Sequence, residues 1–208
     1  MKGLLLKDLL ELRLKMKAGF IFLIFYGVLT VLYFKSLTSF VVIMSMYSIT
    51  FPLSAIALDE RSRWNLYILA APLRRRDYVL SKYALSLLNI LAAFAVEVLI
   101  SLIFGRPELA ELRPFMLVML GATLTFSAIM LPFAMWLGTE RARYIMLGIF
   151  ILPTALIMYI ANAGALPSSP FDEADLAAFL SAAVPAFGAL LFAVSCPIAC
   201  ALYSRREL

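Results

Sequence analysis

Six long apolar stretches occupy most of this 208-residue chain, and only one ionisable side chain, Glu97, lies within any of them. The stretches cover residues 18–34, 40–58, 83–104, 115–138, 144–162 and 176–203. A helix that crosses a bilayer needs about 20 apolar residues. Lipid offers no hydrogen-bond partner to a backbone amide, so each stretch must be helical. The sequence therefore predicts an all-α polytopic membrane protein, with six transmembrane helices in a single transmembrane domain over residues 1–208.

The basic residues predict the orientation of these spans. Fifteen of the 18 Lys and Arg residues precede the first span or follow the second, fourth and sixth. The positive-inside rule then places both termini in the cytoplasm. Residues 59–82 and 139–143 become cytoplasmic loops, and 204–208 a cytoplasmic tail. Because the positive charge follows the membrane topology and forms no basic face on a soluble domain, no nucleic-acid partner is expected.

Residues 1–17 have the pattern of an amphipathic helix at the membrane surface. Leu5, Leu9 and Leu12 begin an apolar stripe, and Lys7 and Lys15 lie on the opposite polar side. Such a helix binds lipid by lying in the headgroup plane with its lysines towards anionic lipid. The pattern fits simple anchoring, and it also fits a helix that contacts a cytoplasmic partner and transmits its movement.

Several functions are disfavoured by residues that the chain lacks. It has no His, no Asp inside a span and no G-x-x-x-x-G-K-[ST] motif. A membrane-embedded enzyme would need a catalytic Ser–His set, paired Asp residues or a metal motif. We therefore predict no catalytic, cofactor-binding or metal-binding residue, and a structural scaffold remains a further alternative. Both cysteines, Cys196 and Cys200, lie in the sixth span, where we expect them to pack as small side chains.

The first cytoplasmic loop, DERSRWNLYILAAPLRRRDYVLSK at 59–82, contains an apolar run too short to cross a membrane. We predict a short surface helix from about Glu60 to Ala70, with its acidic residues in the first turn, where the helix dipole favours them. Trp64 suits the membrane interface. A second helix is predicted to begin near Arg75 and to continue into the third span.

Two motifs in the cytoplasmic loops resemble those of a known family. The first comprises Glu60, Trp64, Leu69, Pro72, Arg75, Tyr78, Val79, Ser81, Lys82 and Tyr83. The second, LPFAMWLGTERARY at 131–144, follows the fourth span. Their order and placement are similar to those of small ABC-2 type transporter permeases, most closely the permeases of peptide-exporting systems such as those for phenol-soluble modulins. Arg74 departs from this pattern, which has a small helix-capping residue there.

The resemblance implies a permease subunit in a prokaryotic cytoplasmic membrane. It would pair with a second permease copy and with an ABC ATPase that binds ATP and Mg²⁺. The substrate would be an exported amphipathic peptide or another hydrophobic compound. Residues 59–69 would form a coupling helix on the ATPase, with polar contacts from Asp59, Glu60 and Arg61 and packing by Trp64 and Leu66. The second cytoplasmic loop would contribute Glu140, Arg141 and Arg143.

Glu97 is the one intramembrane ionisable residue, and Asn89 lies two helical turns before it on roughly the same face. A carboxylate at this depth costs several kcal/mol. Both residues are candidates for an interhelical hydrogen bond or for the lining of the substrate path. The alternative function is a proton-coupled secondary transporter that uses Glu97. It predicts no ATPase partner and leaves the coupling-like loop unexplained.

Overall fold

The computed structural model describes residues 7–8, 10, 21, 25–29, 37–62, 75–104, 109–142, 144–145, 147–148, 151, 155, 159 and 173–204. These residues form helices, short turns and no strand. Four helices are long: α1 Leu37–Arg61, α2 Arg75–Phe104, α3 Leu109–Leu137 and α4 Glu173–Ser204. The prediction of an all-helical chain is therefore confirmed for the part of the chain that the structure describes.

All four helices are long and apolar enough to cross a membrane. Their apolar spans contain 25 to 28 residues, and about 20 residues suffice for a hydrocarbon core of roughly 30 Å. They correspond to the predicted second, third, fourth and sixth spans. The predicted first and fifth spans and the surface helix at 1–17 lie mostly outside the described residues. The few residues of these segments that are described are helical, so the total of six spans remains a prediction.

Both ends of α2 agree with the sequence, whereas the end of α1 and the start of α3 differ from it. Helix α2 begins at Arg75, as predicted. Helix α1 does not stop at residue 58 but continues to Arg61, so the acidic residues 59 and 60 end a span and do not open a new helix. Helix α3 begins at Leu109, six residues before the predicted span. The predicted surface helix at 60–70 is therefore wrong at its start, and its remainder lies outside the described residues.

The most extensive packing joins α3 to α4, and two glycines permit it. A methyl group on Gly121 would overlap the backbone of Val184 and Pro185. On the opposite helix, a methyl group on Gly188 would lie 2.5 Å from the Gly121 carbonyl oxygen. The backbones therefore approach too closely for any side chain, as in membrane helix pairs with small residues at the crossing.

A hydroxyl chain joins α2, α4 and α3 close to this crossing. The Tyr83 hydroxyl and Ser195 Oγ lie 2.7 Å apart, and Ser195 Oγ in turn donates to the Ala128 carbonyl oxygen. Because Ser195 has one proton and gives it to Ala128, Tyr83 is the donor of the first bond. The Tyr83 ring also packs against Phe192 at a centroid distance of 5.1 Å. These contacts fix α2 against the α3–α4 pair.

Candidate functional site

Four charged side chains meet at the end of the bundle where α1 finishes and α2 begins. Lys82 Nζ lies 2.7 Å from Asp8 Oδ2 and 2.5 Å from Asp59 Oδ2. Lys7 Nζ pairs with the other Asp59 oxygen and lies 3.5 Å from Asp8 Oδ1. We call Lys7, Asp8, Asp59 and Lys82 the ion cluster. Its two cations and two carboxylates alternate, so each charge has opposite charges as neighbours.

The ion cluster is buried. The side chains of Lys82 and Asp59 are each 1% exposed, that of Asp8 is 4% exposed, and only Lys7 reaches the surface at 25%. Removing charges from water costs several kcal/mol per ion, and good ion-pair geometry offsets this cost only when every charge is matched. Loss of one member would leave an uncompensated buried charge. The ion cluster therefore holds its three chain segments together only while it is complete.

Aromatic contacts extend the ion cluster to α4. The Tyr78 hydroxyl donates to Asp59 Oδ2 at 3.1 Å, and Lys82 Nζ lies 5.2 Å from the centre of the Tyr78 ring. That distance suits a cation–π interaction. On its other side the Tyr78 ring stacks on Tyr203 at 5.4 Å, with 28° between the planes. The N-terminal segment, both ends of the first loop and the end of α4 are thus connected through the ion cluster and the two tyrosines.

Next to the ion cluster, Glu60 joins the end of α1 to the turn after α3. Its Oε2 accepts hydrogen bonds from the Thr139 backbone amide at 2.9 Å and from the Thr139 hydroxyl at 2.5 Å. A carboxylate at a helix N-terminus satisfies an amide that has no partner within the helix and interacts favourably with the helix dipole. Glu60 therefore caps the helical residues that begin at Thr139.

The turn that receives Glu60 depends on Gly138. Its φ of +88° is a left-handed conformation that glycine adopts readily. The Gly138 amide donates to the Ala134 carbonyl at 3.1 Å and ends α3, and its own carbonyl accepts from the Ala142 amide at 3.1 Å. A methyl group here would lie 3.1 Å from Glu60 Oε1. The glycine therefore ends one helix, begins the next and leaves room for the carboxylate.

The structure separates the residues that were predicted to contact an ATPase. Asp59 is buried in the ion cluster and Glu60 is bound to Thr139, whereas Arg61 is exposed. Glu140 and Arg141 are exposed in the helical residues that begin at Thr139. Trp64, Leu66 and Arg143 lie outside the described residues. The ATPase-contact roles of all these residues remain predictions. In this conformation, however, Asp59 is inaccessible to any partner.

Asn89 and Glu97 have different surroundings within the membrane. The Asn89 side-chain amide donates to the Ser48 carbonyl of α1 at 3.2 Å. Glu97 is 4% exposed and lines a small cavity between α1, α2 and α3, which Asn89 does not line. Glu97 forms no hydrogen bond or ion pair with any described residue, so its role in an interhelical bond or in the substrate path remains a prediction.

Sequence reasoning missed three important members of this site. Asp8 lies on the apolar side of the N-terminal segment, between Leu5 and Leu12, and that placement was a usable signal of a buried charge. Lys7 was expected to face lipid headgroups but pairs with Asp59, and Lys82 is buried. No local pattern indicates these pairs, because Asp8 and Lys82 are 74 residues apart in the chain.

The long apolar helices define a multi-pass membrane protein, whose polar contacts concentrate at the end that holds the two loops. Comparison with protein families identifies the family of this membrane protein. The family described as ABC-2 family transporter protein matches residues 3–204, nearly the whole chain. The chain belongs to this family, which consists of permease components of transporters. No curated protein and no solved structure matches the chain.

Proposed function

We propose that this chain is the membrane-spanning permease subunit of an ATP-driven ABC exporter. Its single transmembrane domain, 1–208, would pair with a second permease copy and with separate ATPase subunits that bind ATP and Mg²⁺. The observation that carries the proposal is the family match over residues 3–204. That match gives no support to a proton-driven secondary transporter.

The arrangement of the two loops supports a role in receiving movement from an ATPase. A loop that docks on a moving partner can shift the helices only if it is firmly attached to them. Glu60 attaches the end of α1 to the turn after α3 through Thr139. The ion cluster attaches the same end of α1 to the start of α2. In the proposal, Asp59 and Glu60 anchor the loop, while Arg61, Trp64 and Leu66 contact the ATPase.

The proposed mechanism follows from these attachments. Binding of ATP would draw two ATPase subunits together and displace the docked loops. Because α1, α2 and the turn after α3 are joined at one end, they would move as a unit. The close α3–α4 contact at Gly121 and Gly188 would carry that movement into the α3–α4 pair. Rigid-body motion of packed helices is a common form of such transitions.

The proposed location is a prokaryotic cytoplasmic membrane, with both termini and the ion cluster on the cytoplasmic side. The basic residues support it, because 11 of the 18 Lys and Arg residues fall within 1–17 and 59–82. The proposed substrate class, amphipathic peptides or other hydrophobic compounds, rests on the resemblance to peptide-export permeases and on the apolar spans.

Copurification with a candidate ABC ATPase tests the proposal. We expect the intact tagged chain to retain the ATPase, and the double variant Trp64→Ala/Leu66→Ala to release it. The matched control is Phe179→Ala/Leu180→Ala, which removes an exposed aromatic residue and an exposed leucine from α4, far from the loops. Absence of the ATPase from the intact chain, or equal loss in both double variants, would overturn the docking assignment.

A second comparison separates the anchoring role of Glu60 from a direct contact with the ATPase. Thr139→Val removes the hydroxyl that donates to Glu60 but leaves the Glu60 carboxylate in place. If Glu60 anchors the loop, Glu60→Ala and Thr139→Val should weaken ATPase retention in the same direction. If only Glu60→Ala weakens it, Glu60 contacts the ATPase directly.

A further inference from the structure

Glu97 lies at the edge of a small polar cavity inside the membrane. The cavity has a volume of about 10 Å³. Its polar lining residues are Glu97 of α2, Ser45 and Ser48 of α1, and Thr123 of α3. The other lining residues are apolar. Three helices thus contribute polar residues to one cavity within the hydrophobic part of the bundle.

Among the described residues that line the cavity, none offers a positive charge to a Glu97 carboxylate. Helices α1 and α3 contribute no charged side chain to the cavity, and α2 contributes only Glu97 itself. The nearest cation in the sequence of α2 is Lys82, which is 15 residues away and is paired with Asp8 and Asp59. That separation is about 22 Å along a helix. An isolated carboxylate in a membrane interior costs several kcal/mol, so the residue needs a bound positive charge.

The size of the cavity limits which ligands can bind in it. A volume of roughly 10–15 Å³ holds one water molecule. A peptide side chain, an organic amine or a hydrated metal ion does not fit. A bare metal ion would need more oxygen ligands than the lining offers, since hard cations take about six or more. A proton fits this space, and it leaves room for a water molecule beside the neutral carboxyl group.

The hydroxyl groups provide partners for that water. Ser48 Oγ is buried and has no hydrogen-bond partner among the described residues. Thr123 Oγ1 donates to the Met119 carbonyl at 2.7 Å and retains its acceptor lone pairs. Ser48 is also fixed in position, because its carbonyl accepts from Asn89. A buried water typically makes two to four hydrogen bonds, about the number available here.

We propose that Glu97 carries its proton and, together with Ser48, holds one water molecule between α1, α2 and α3. The site takes a proton and a water and excludes metal cations. It links the three helices in the membrane interior, while the ion cluster links two of them at the end of the bundle. The inference concerns the chain alone and does not depend on an ATPase partner, so its failure would leave the proposed function standing.

Infrared difference spectroscopy on the purified chain in lipid vesicles near neutral pH tests the proposal. Subtracting the spectrum of Glu97→Gln from that of the unaltered chain isolates the Glu97 carboxyl group, because the substitution keeps the shape and removes the acid. We expect the carbonyl stretching band of a protonated carboxylic acid, sensitive to deuterium exchange. A carboxylate band with no carboxylic acid band would overturn the proposal.

Two further measurements test the water and exclude the metal ion. Ser48→Ala should shift the Glu97 carbonyl band because it removes one partner of the water. The matched control, Ser86→Ala, should leave the band in place, because the Ser86 hydroxyl is equally buried and unpaired but does not line the cavity. Equal shifts in both variants would overturn the proposed water bridge. Thermal stability that rises with added sodium or potassium in the unaltered chain but not in Glu97→Gln would identify a metal ion as the ligand.

Discussion

Replacing Lys82 with methionine removes the central cation of the ion cluster while it keeps a side chain of similar length. Lys82 is 1% exposed and contacts a carboxylate oxygen of Asp8 at 2.7 Å and one of Asp59 at 2.5 Å. The variant leaves two buried carboxylates with Lys7 as their one remaining cation in the cluster. Breaking a buried ion pair in this way typically costs about 3–5 kcal/mol.

A second estimate limits the size of this loss. The variant can relieve the unpaired charge by protonating one carboxylate, and protonating an ordinary aspartate at pH 7 costs about 4 kcal/mol. We therefore expect Lys82→Met to lower the free energy of unfolding by about 3–4 kcal/mol. This decrease in the free energy of unfolding should become smaller as the pH falls. Protonation then becomes easier and neutralises the carboxylate that the substitution leaves unpaired.

Thermal unfolding of the purified chain in mild detergent measures this loss. The thiols of Cys196 and Cys200, both reduced and half-buried in α4, allow a thiol-reactive fluorophore to report the transition. We expect the midpoint to fall by roughly 10 °C on the scaling for soluble chains of this length. The matched control is Arg76→Met, an exposed cation in the same helix, which should change stability by no more than about 0.5 kcal/mol.

The double variant Lys82→Met/Asp59→Asn provides the sharper test of the charge argument. It removes one charge of each sign, so Lys7 and Asp8 remain as a balanced pair, and it should recover part of the lost stability. If Lys82→Met costs no more than Arg76→Met, or if the second substitution deepens the loss, charge balance does not hold the segments together.

Three smaller predictions concern the turn after α3, the helix crossing and the hydroxyl chain, and unfolding midpoints measure all three. Gly138→Ala should lower the free energy of unfolding by about 1–2 kcal/mol. The alanine would have to adopt a left-handed backbone conformation, with its methyl group 3.1 Å from Glu60 Oε1. Gly148→Ala, with nothing within 4 Å, should cost nothing, and equal losses in the two variants would refute the explanation. Gly188→Ala should cost about 1–3 kcal/mol by overpacking the helix crossing, and a neutral result would show that α3 and α4 can separate. Tyr83→Phe should cost about 1 kcal/mol for one lost hydrogen bond, and an unchanged midpoint would argue against the hydroxyl chain.

The sequence predicted the helices because their signal is local. Long apolar runs without charges give four of the spans within a few residues, and the start of α2 at Arg75 follows from its position after Pro72. The predicted position of the α1 end was wrong for a physical reason. Acidic residues favour a helix N-terminus, which suggested that Asp59 and Glu60 begin a new helix. Their partners, Lys82 and Thr139, stabilise them at a C-terminus instead.

The ion cluster and the Glu60 cap could be predicted only in part. Asp8 on an apolar stripe and Gly138 before Thr139 were visible locally as unusual placements. Their partners were not visible, because the pairs join segments far apart in the chain: Lys82 with Asp8 and Thr139 with Glu60. A positive-inside count treats every Lys in a loop as equivalent. It therefore cannot distinguish buried Lys82 from exposed Arg76, which lies in the same helix.

We propose that an ATPase docks at the end of the bundle that holds the two loops. Site-specific photocrosslinking in intact membranes tests it most directly, with the crosslinking amino acid placed at exposed Arg61, at exposed Arg141 or, as a control, at exposed Phe179 near the opposite end of α4. We expect this docking to give crosslinks to the ATPase from positions 61 and 141 and none from position 179. Crosslinks from position 179 alone, or from no position while the ATPase is present, would contradict it.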